Sequence, residues 1–162
     1  MYQIENDQIK NNIMAKSNFL DSSKPLFSKP ISMGASMMKD NDHSGASQFF
    51  GYLFSVRDQA HLAHLRVSGL GAFAAHSALG DFYDGILDKT DELIEVYQGM
   101  NGIIPITIPG STYVDGLTLV KGCREYVEQN RMKVCECSHI QNIIDEVVAL
   151  IDRTIYKLEN LK

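Results

Sequence analysis

Three of the five histidines in this 162-residue chain, His61, His64 and His76, lie close together in the sequence. Asp91 and Glu95 follow them at a spacing of four residues, so on a helix these two carboxylates share one face. Imidazole nitrogens together with carboxylate oxygens form the donor set that suits Fe(II), Mn(II) or Zn(II). This combination of residue types predicts a divalent-metal site.

A second interpretation of the same residues stays open. His64 and His76 flank a predicted helix break, where histidines also serve as caps or hydrogen-bond to the backbone. Asp91 and Glu95 lie among other acidic residues, which is typical of a solvated helix face; these neighbours are Asp84, Asp88 and Glu92. The spacing of these residues is therefore compatible with a metal site and equally with a structural role.

Helices must position these residues, because apolar side chains recur at steps of three and four along most of the chain. The pattern predicts four helices: Ser44 to a break at 68–71, Ala72 to about Gln98 with Gly99 as C-cap, Leu117 to Lys133, and Ser138 to the C-terminus. Each helix has one apolar stripe to bury. An all-α four-helix bundle over residues 44–162 is therefore the predicted fold.

The apolar stripe of the second helix includes one of these residues, His76. This stripe is predicted to face the core, and it consists of Phe73, His76, Leu79, Tyr83, Ile86 or Leu87, Thr90, Leu93 or Ile94, and Tyr97. Tyr83 and Tyr97 are interpreted as core residues with a hydrated edge. Arg57 on the first helix is expected to extend its charged end into solvent or to pair with Asp58 or another acidic residue of the bundle.

Residues 1–43 differ from the rest of the chain. They show no sustained periodicity, contain two of the four prolines, and carry five lysines and five acidic residues, so their net charge is zero. We predict an irregular N-terminal arm that is mobile or ordered by a partner. Its expected partners are neighbouring subunits or another protein.

Composition excludes several classes of protein. The chain has 15 Lys and Arg against 20 Asp and Glu, a net charge of −5, which disfavours DNA as a partner. No apolar run approaches the ~20 residues of a membrane helix, so no membrane association is expected. The polar N-terminus lacks a secretory signal, which predicts a cytoplasmic protein.

The three cysteines are too few for a disulfide framework and favour a reducing compartment. Cys135 and Cys137 lie in a Cys-x-Cys-x-His run, residues 135–139. This run lacks the usual zinc-ligand spacing and a second ligand cluster, so the two are interpreted as turn cysteines. Cys123 is expected in the core.

Six residues at fixed offsets resemble the pattern of the miniferritins, the Dps family (DNA-binding proteins from starved cells); they are Ala63, His64, Gly69, His76, Asp91 and Glu95. The resemblance implies a ferritin-like bundle that assembles into a hollow homo-oligomer. It implies that His64 and His76 of one subunit bind iron with Asp91 and Glu95 of another. Fe(II) would be oxidised there by peroxide or dioxygen, a ferroxidase activity, and another divalent metal stays open. No catalytic residue beyond the metal ligands and no organic cofactor are expected.

The chain departs from the miniferritin pattern at one position of the site. The family usually has Asp four residues after the second histidine, where this chain has Gly80 followed by Asp81. A shift of one residue rotates a helical side chain by ~100°. Asp81 is therefore a weaker ligand candidate. His61 is also a weaker ligand candidate, and its alternative role is to pair with Asp58.

Three segments are also similar to short ferritin-like proteins of tailed phages and their hosts. They are RDQAHLAH at 57–64, HSALGDFY at 76–83 and YQG at 97–99. This second resemblance implies an alternative function, in which the same bundle is a structural or interaction protein without catalysis. Such a protein would be associated with the virion, and the N-terminal arm would make its contacts.

Overall fold

The computed structural model describes residues 42–110, 112 and 114–161. They form four α-helices and a short 3₁₀ helix: α1 (Ser44–Arg66), α2 (Ala72–Asn101), α3 (Gly116–Asn130), the 3₁₀ helix (Arg131–Lys133) and α4 (Ser138–Asn160). These residues contain no strand, so the all-α prediction is confirmed. None of the described helices has the length and apolar content that crossing a membrane requires. The predicted arm, apart from Asp42 and His43, lies outside the described residues and stays a prediction.

The helices pack in a closed cycle. α1 contacts α2 and α3, and α4 also contacts α2 and α3. Their apolar stripes meet in one core, whose largest fully buried side chains include Phe49, Phe50, Leu53, Leu79, Phe82, Ile86, Ile140 and Ile144. Cys123 is buried in this core, as predicted. The packing is compatible with the predicted four-helix bundle.

The predicted C-terminus of α2 was wrong by three residues. Gly102 rather than Gly99 ends the helix, with φ +82° and its backbone N–H donating to the Gln98 carbonyl at 2.8 Å. Glycine adopts this left-handed conformation at no steric cost, which makes it the usual helix terminator. Gly99 instead continues α2, since one glycine lowers helix stability too little to end the helix.

The first turns of α2 differ from the predicted stripe. Leu79 is buried, but Phe73 is 86% exposed and His76 is exposed. Periodicity predicts the direction in which a side chain points, but not how far the neighbouring helices extend along it. The inward placement predicted for Phe73 and His76 was therefore wrong.

The segment between α2 and α3 is irregular and packs against α1. Ile104 is buried, and the Ser47 hydroxyl donates to the Pro105 carbonyl at 2.7 Å. Gly51 of α1 is buried beneath this segment, and a Cβ added there would clash with the backbone of Thr107. The close approach explains why α1 has glycine at this position.

Asp115 caps the N-terminus of α3. Its carboxylate accepts a hydrogen bond from the Thr118 backbone N–H at 3.0 Å. Hydrogen bonds from the side chain and the backbone of Thr118 hold the pKa of Asp115 below its ordinary value of 3.8. We expect Asp115→Ala to lower the free energy of unfolding by about 1 kcal/mol at pH 7, measured by urea denaturation, because the cap is lost.

The matched control is Asp115→Asn, which keeps the capping oxygen and removes the charge. The folded-state pKa is lowered, so the charge-dependent stabilisation is present above pH 3.8 and is lost as the pH falls through the folded value. The difference in stability between the wild type and Asp115→Asn should therefore shrink in acid. An alanine variant as stable as the wild type at pH 7 would contradict the cap.

Candidate metal centre

His64 near the end of α1 and His76 near the start of α2 face each other across the connecting turn. Their rings stack with centroids 3.6 Å apart and planes 26° apart. His64 Nδ1 lies 2.8 Å from the backbone oxygen of His76, and His76 Nδ1 lies 3.0 Å from the backbone oxygen of His64. A carbonyl oxygen only accepts hydrogen bonds, so each Nδ1 carries the proton and donates it.

These reciprocal hydrogen bonds determine what the two rings can offer to a metal. A neutral imidazole protonated at Nδ1 has its lone pair on Nε2. Metal-ligating histidines ordinarily hold their other ring nitrogen in such a hydrogen bond, which orients the ring and raises its basicity. Within the described residues no hydrogen bond engages Nε2 of either ring. The pair therefore presents two oriented nitrogen donors at the surface.

Three further side chains surround the histidine pair. The Tyr83 ring lies 4.5 Å from the His61 ring and 5.3 Å from the His64 ring, edge to face with the latter. Arg57 places its guanidinium carbon 5.6 Å from the Tyr83 centroid. It also pairs with Asp58 at 2.9 Å, one of the alternatives predicted for Arg57. The Tyr83 ring therefore packs against both histidines of α1.

The contact of Tyr83 with the histidines is the feature of this cluster that the sequence did not predict. The predicted core position with a hydrated edge is confirmed, because Tyr83 is half-buried and packs against the core beside the two histidines of α1. Its spacing of seven residues from His76, two helical turns along α2, is the pattern that could have identified it. The Nε atom of Arg57 is buried with no hydrogen-bond partner in the described part of the chain.

Gly80 and Asp81 point in different directions. A Cβ at position 80 would lie 3.4 Å from Cε1 and 3.5 Å from Nδ1 of His64, so this position faces the histidine pair. Asp81 instead binds Lys157 of α4 through its carboxylate, at 2.7 Å. The one-residue rotation of ~100° thus directs the carboxylate of Asp81 toward α4.

Asp91 and Glu95 do not reach the histidines within one chain. Both are exposed on α2, and Asp91 lies about 22 Å from His76 along the helix axis at 1.5 Å per residue. No group of three His, Cys, Asp or Glu side chains in residues 42–110, 112 and 114–161 is arranged to hold a metal ion. Within the described part of one chain, the four predicted ligands do not come together, so the predicted site requires a second chain.

The fold and this site define an all-α protein with four described helices and a stacked histidine pair where α1 meets α2. Residues 69–158 match a family of unknown function, DUF5856. The match covers more than half of the chain, so the chain belongs to this family. It includes His76, Asp91 and Glu95 and excludes His61 and His64. No curated protein and no solved structure matches the chain.

Proposed function

We propose that the chain is a ferritin-like subunit that binds Fe(II) through His64 and His76, with Asp91 and Glu95 of a second copy completing the site. The reciprocal hydrogen bonds between the two histidines carry this proposal, because they leave both Nε2 atoms available as ligands. Imidazole nitrogen favours the divalent ion, and carboxylate oxygen suits both iron states. The combined donor set fits Fe(II), and Mn(II) or Zn(II) remain alternatives.

A second copy of the chain is the expected partner, and the surface around the histidines supports this. Leu65, Leu70 and Phe73 are 65%, 100% and 86% exposed on the last turn of α1, the connecting turn and the first turn of α2. Exposed apolar groups of this kind mark protein–protein contacts. A neighbouring copy would cover them and would supply the missing carboxylates at the same time.

Iron is the substrate in this proposal. Each Fe(II) gives up one electron to dioxygen or peroxide, and the residues of the chain bind and orient the ion. Carboxylates from the second copy would offset the added positive charge as Fe(III) forms. Ferroxidase activity therefore depends on assembly, because the imidazoles and the carboxylates come from different copies.

The charge of the chain limits the other partners. A net charge of −5 and a charge-neutral stretch over residues 1–43 provide no cluster of cations for phosphate, so DNA is excluded from the proposal. The proposed location is the cytoplasm for an iron-binding protein. It is the virion if the chain is encoded by a phage, where the N-terminal arm would contact neighbouring subunits or another protein.

A structural or interaction protein is the second candidate, and one observation favours it. The stacking and hydrogen bonds of His64 and His76 hold α1 and α2 together. This structural role explains both side chains without any metal. In that case the exposed apolar side chains bind another protein, and the histidine pair neither binds a metal nor takes part in catalysis. Binding of iron separates the two candidates.

The test is an anaerobic calorimetric titration of the full-length protein with Fe(II), with native mass determined on the same sample. We expect saturable binding of about one or two irons per chain in a closed oligomer. His139→Ala is the control, since His139 contacts Met100 outside the histidine cluster and its loss should leave binding unchanged. Binding no stronger than background would favour the structural candidate. Saturable binding by a monomer would refute the contribution of a second copy.

A further inference from the structure

Cys135 and Cys137 are joined by a disulfide in the turn that precedes α4, with their Cα atoms 5.2 Å apart. The sequence analysis placed both cysteines in a turn, which is confirmed, but did not predict the bond between them. Both residues are half-buried. Cys123, the remaining cysteine, is buried in the core. Two of the three thiols therefore form a surface pair that the iron proposal does not use.

Polar contacts that do not involve sulfur hold this turn in place. The Gln141 side-chain amide donates to the backbone oxygens of Cys135 at 2.6 Å and of Arg131 at 3.1 Å. Arg131 in turn donates to the Gln141 side-chain oxygen at 2.7 Å. None of these bonds involves sulfur, so we expect the turn to keep the two cysteines adjacent when they are reduced.

The disulfide contributes little as a cross-link. It joins residues two apart in the sequence, and the constraint that a disulfide places on the unfolded chain falls with the length of the loop it closes. A bond that constrains the unfolded chain so little, near the surface and in a pre-formed turn, fits a chemical role better than a structural one.

The position of Cys137 favours a reactive thiolate. Cys137 is the N-cap residue of α4, and no side chain caps this 23-residue helix. A side-chain acceptor at an N-cap meets the first free N–H groups of the helix, whose positive end stabilises a thiolate. Cys135 Sγ already accepts a hydrogen bond from the Cys137 backbone N–H at 3.0 Å. The N-cap position favours Cys137 as the attacking thiolate, and the adjacent Cys135 can then attack Cys137 Sγ.

We propose that Cys135 and Cys137 form a thiol–disulfide exchange site for small disulfides of the glutathione type. The Cys137 thiolate attacks one sulfur of the small disulfide, forms a mixed disulfide and releases one thiolate. Cys135 loses its proton to solvent and attacks Cys137 Sγ, which closes the protein disulfide and releases the second thiolate. Two protein thiols are oxidised while one small disulfide is reduced to two thiols, and excess thiol drives the reverse reaction. This site is independent of the iron proposal.

The test uses the full-length protein, reduced and freed of reductant, then mixed with oxidised glutathione. Samples are quenched with an alkylating reagent and analysed by intact mass. We expect the protein disulfide to form about tenfold faster in the folded chain than in the urea-unfolded chain. Cys123 should stay unalkylated until the protein is denatured, since burial shields it and raises the pKa of its thiol to about 12.

Single serine variants separate the two roles. Cys137→Ser should slow the first reaction about tenfold, whereas Cys135→Ser should react at the normal rate and stop at the mixed disulfide with glutathione. Cys123→Ser is the matched control and should leave the rate unchanged. Equal rates for the two turn variants would overturn the assigned roles. A folded chain that reacts no faster than the unfolded chain would overturn the site itself, whether or not the variants fold.

Discussion

Replacing His76 with alanine should weaken Fe(II) binding about 100-fold while leaving the helical content near that of the wild type. The substitution removes one Nε2 donor. It retains the backbone oxygen of residue 76, which accepts the hydrogen bond from His64 Nδ1, so the remaining imidazole stays oriented. The loss of Fe(II) affinity therefore measures the contribution of the His76 imidazole as a metal ligand. Calorimetric titration gives the affinity, and far-UV circular dichroism checks the fold.

His64→Ala is the symmetric variant, since His76 Nδ1 keeps its bond to the backbone oxygen of residue 64. The two variants should lose similar affinity, and the His139→Ala control should lose none. If iron binds His76→Ala as tightly as it binds the wild type, the histidine pair is not a metal site. The role of these residues would then be limited to holding α1 and α2 together.

Gly80 offers a gain of function at the same site. A side chain at this position would lie beside the His64 ring, with its Cβ 3.4 Å from Cε1. We expect Gly80→Asp to raise Fe(II) affinity about tenfold, because it adds a charged oxygen ligand beside the two nitrogen donors. Gly80→Asn has the same size without the charge and should bind as the wild type does. Equal affinities for the Asp and Asn variants would contradict a ligand site at this face of α2.

The second large effect concerns stability. Gly51→Ala should lower the free energy of unfolding by about 2 kcal/mol, because the added Cβ overpacks a closed contact. That Cβ would clash with the Thr107 carbonyl oxygen and lie 2.9 Å from the Thr107 carbonyl carbon. Both are backbone atoms, so the segment that carries buried Ile104 must move. Urea denaturation followed by circular dichroism measures the loss.

Gly122→Ala is the matched control for this substitution. Gly122 is exposed on α3, and a Cβ there meets nothing within 4 Å. Helix propensity then acts alone, and the variant should gain up to about 1 kcal/mol. The two glycine substitutions therefore have opposite signs. A Gly51→Ala protein as stable as the wild type would show that the segment after α2 does not pack closely on α1.

Patterns between residues that are close in the sequence were sufficient to predict the helices of this protein and the turns between them. The helix break at residues 68–71, the turn before α4 and the burial of Cys123 follow from glycine positions and from apolar side chains at steps of three and four. The Arg57–Asp58 pair joins neighbouring residues. The miniferritin resemblance stays a prediction, because the family to which the chain belongs has no known function and the proposed site requires contacts between chains.

The candidate site itself depended on contacts between segments that are distant in the sequence. The exchange of hydrogen bonds between His64 and His76, the packing of Tyr83 beside His61, and the approach of position 80 to His64 all depend on how α1 meets α2. Periodicity carries no information on where a neighbouring helix ends, which is why it placed Phe73 in the core although this residue is exposed. Spacing along the chain determines which side chains share a helix face. The packing of one helix against another determines which of those faces meet, and therefore which residues can act together.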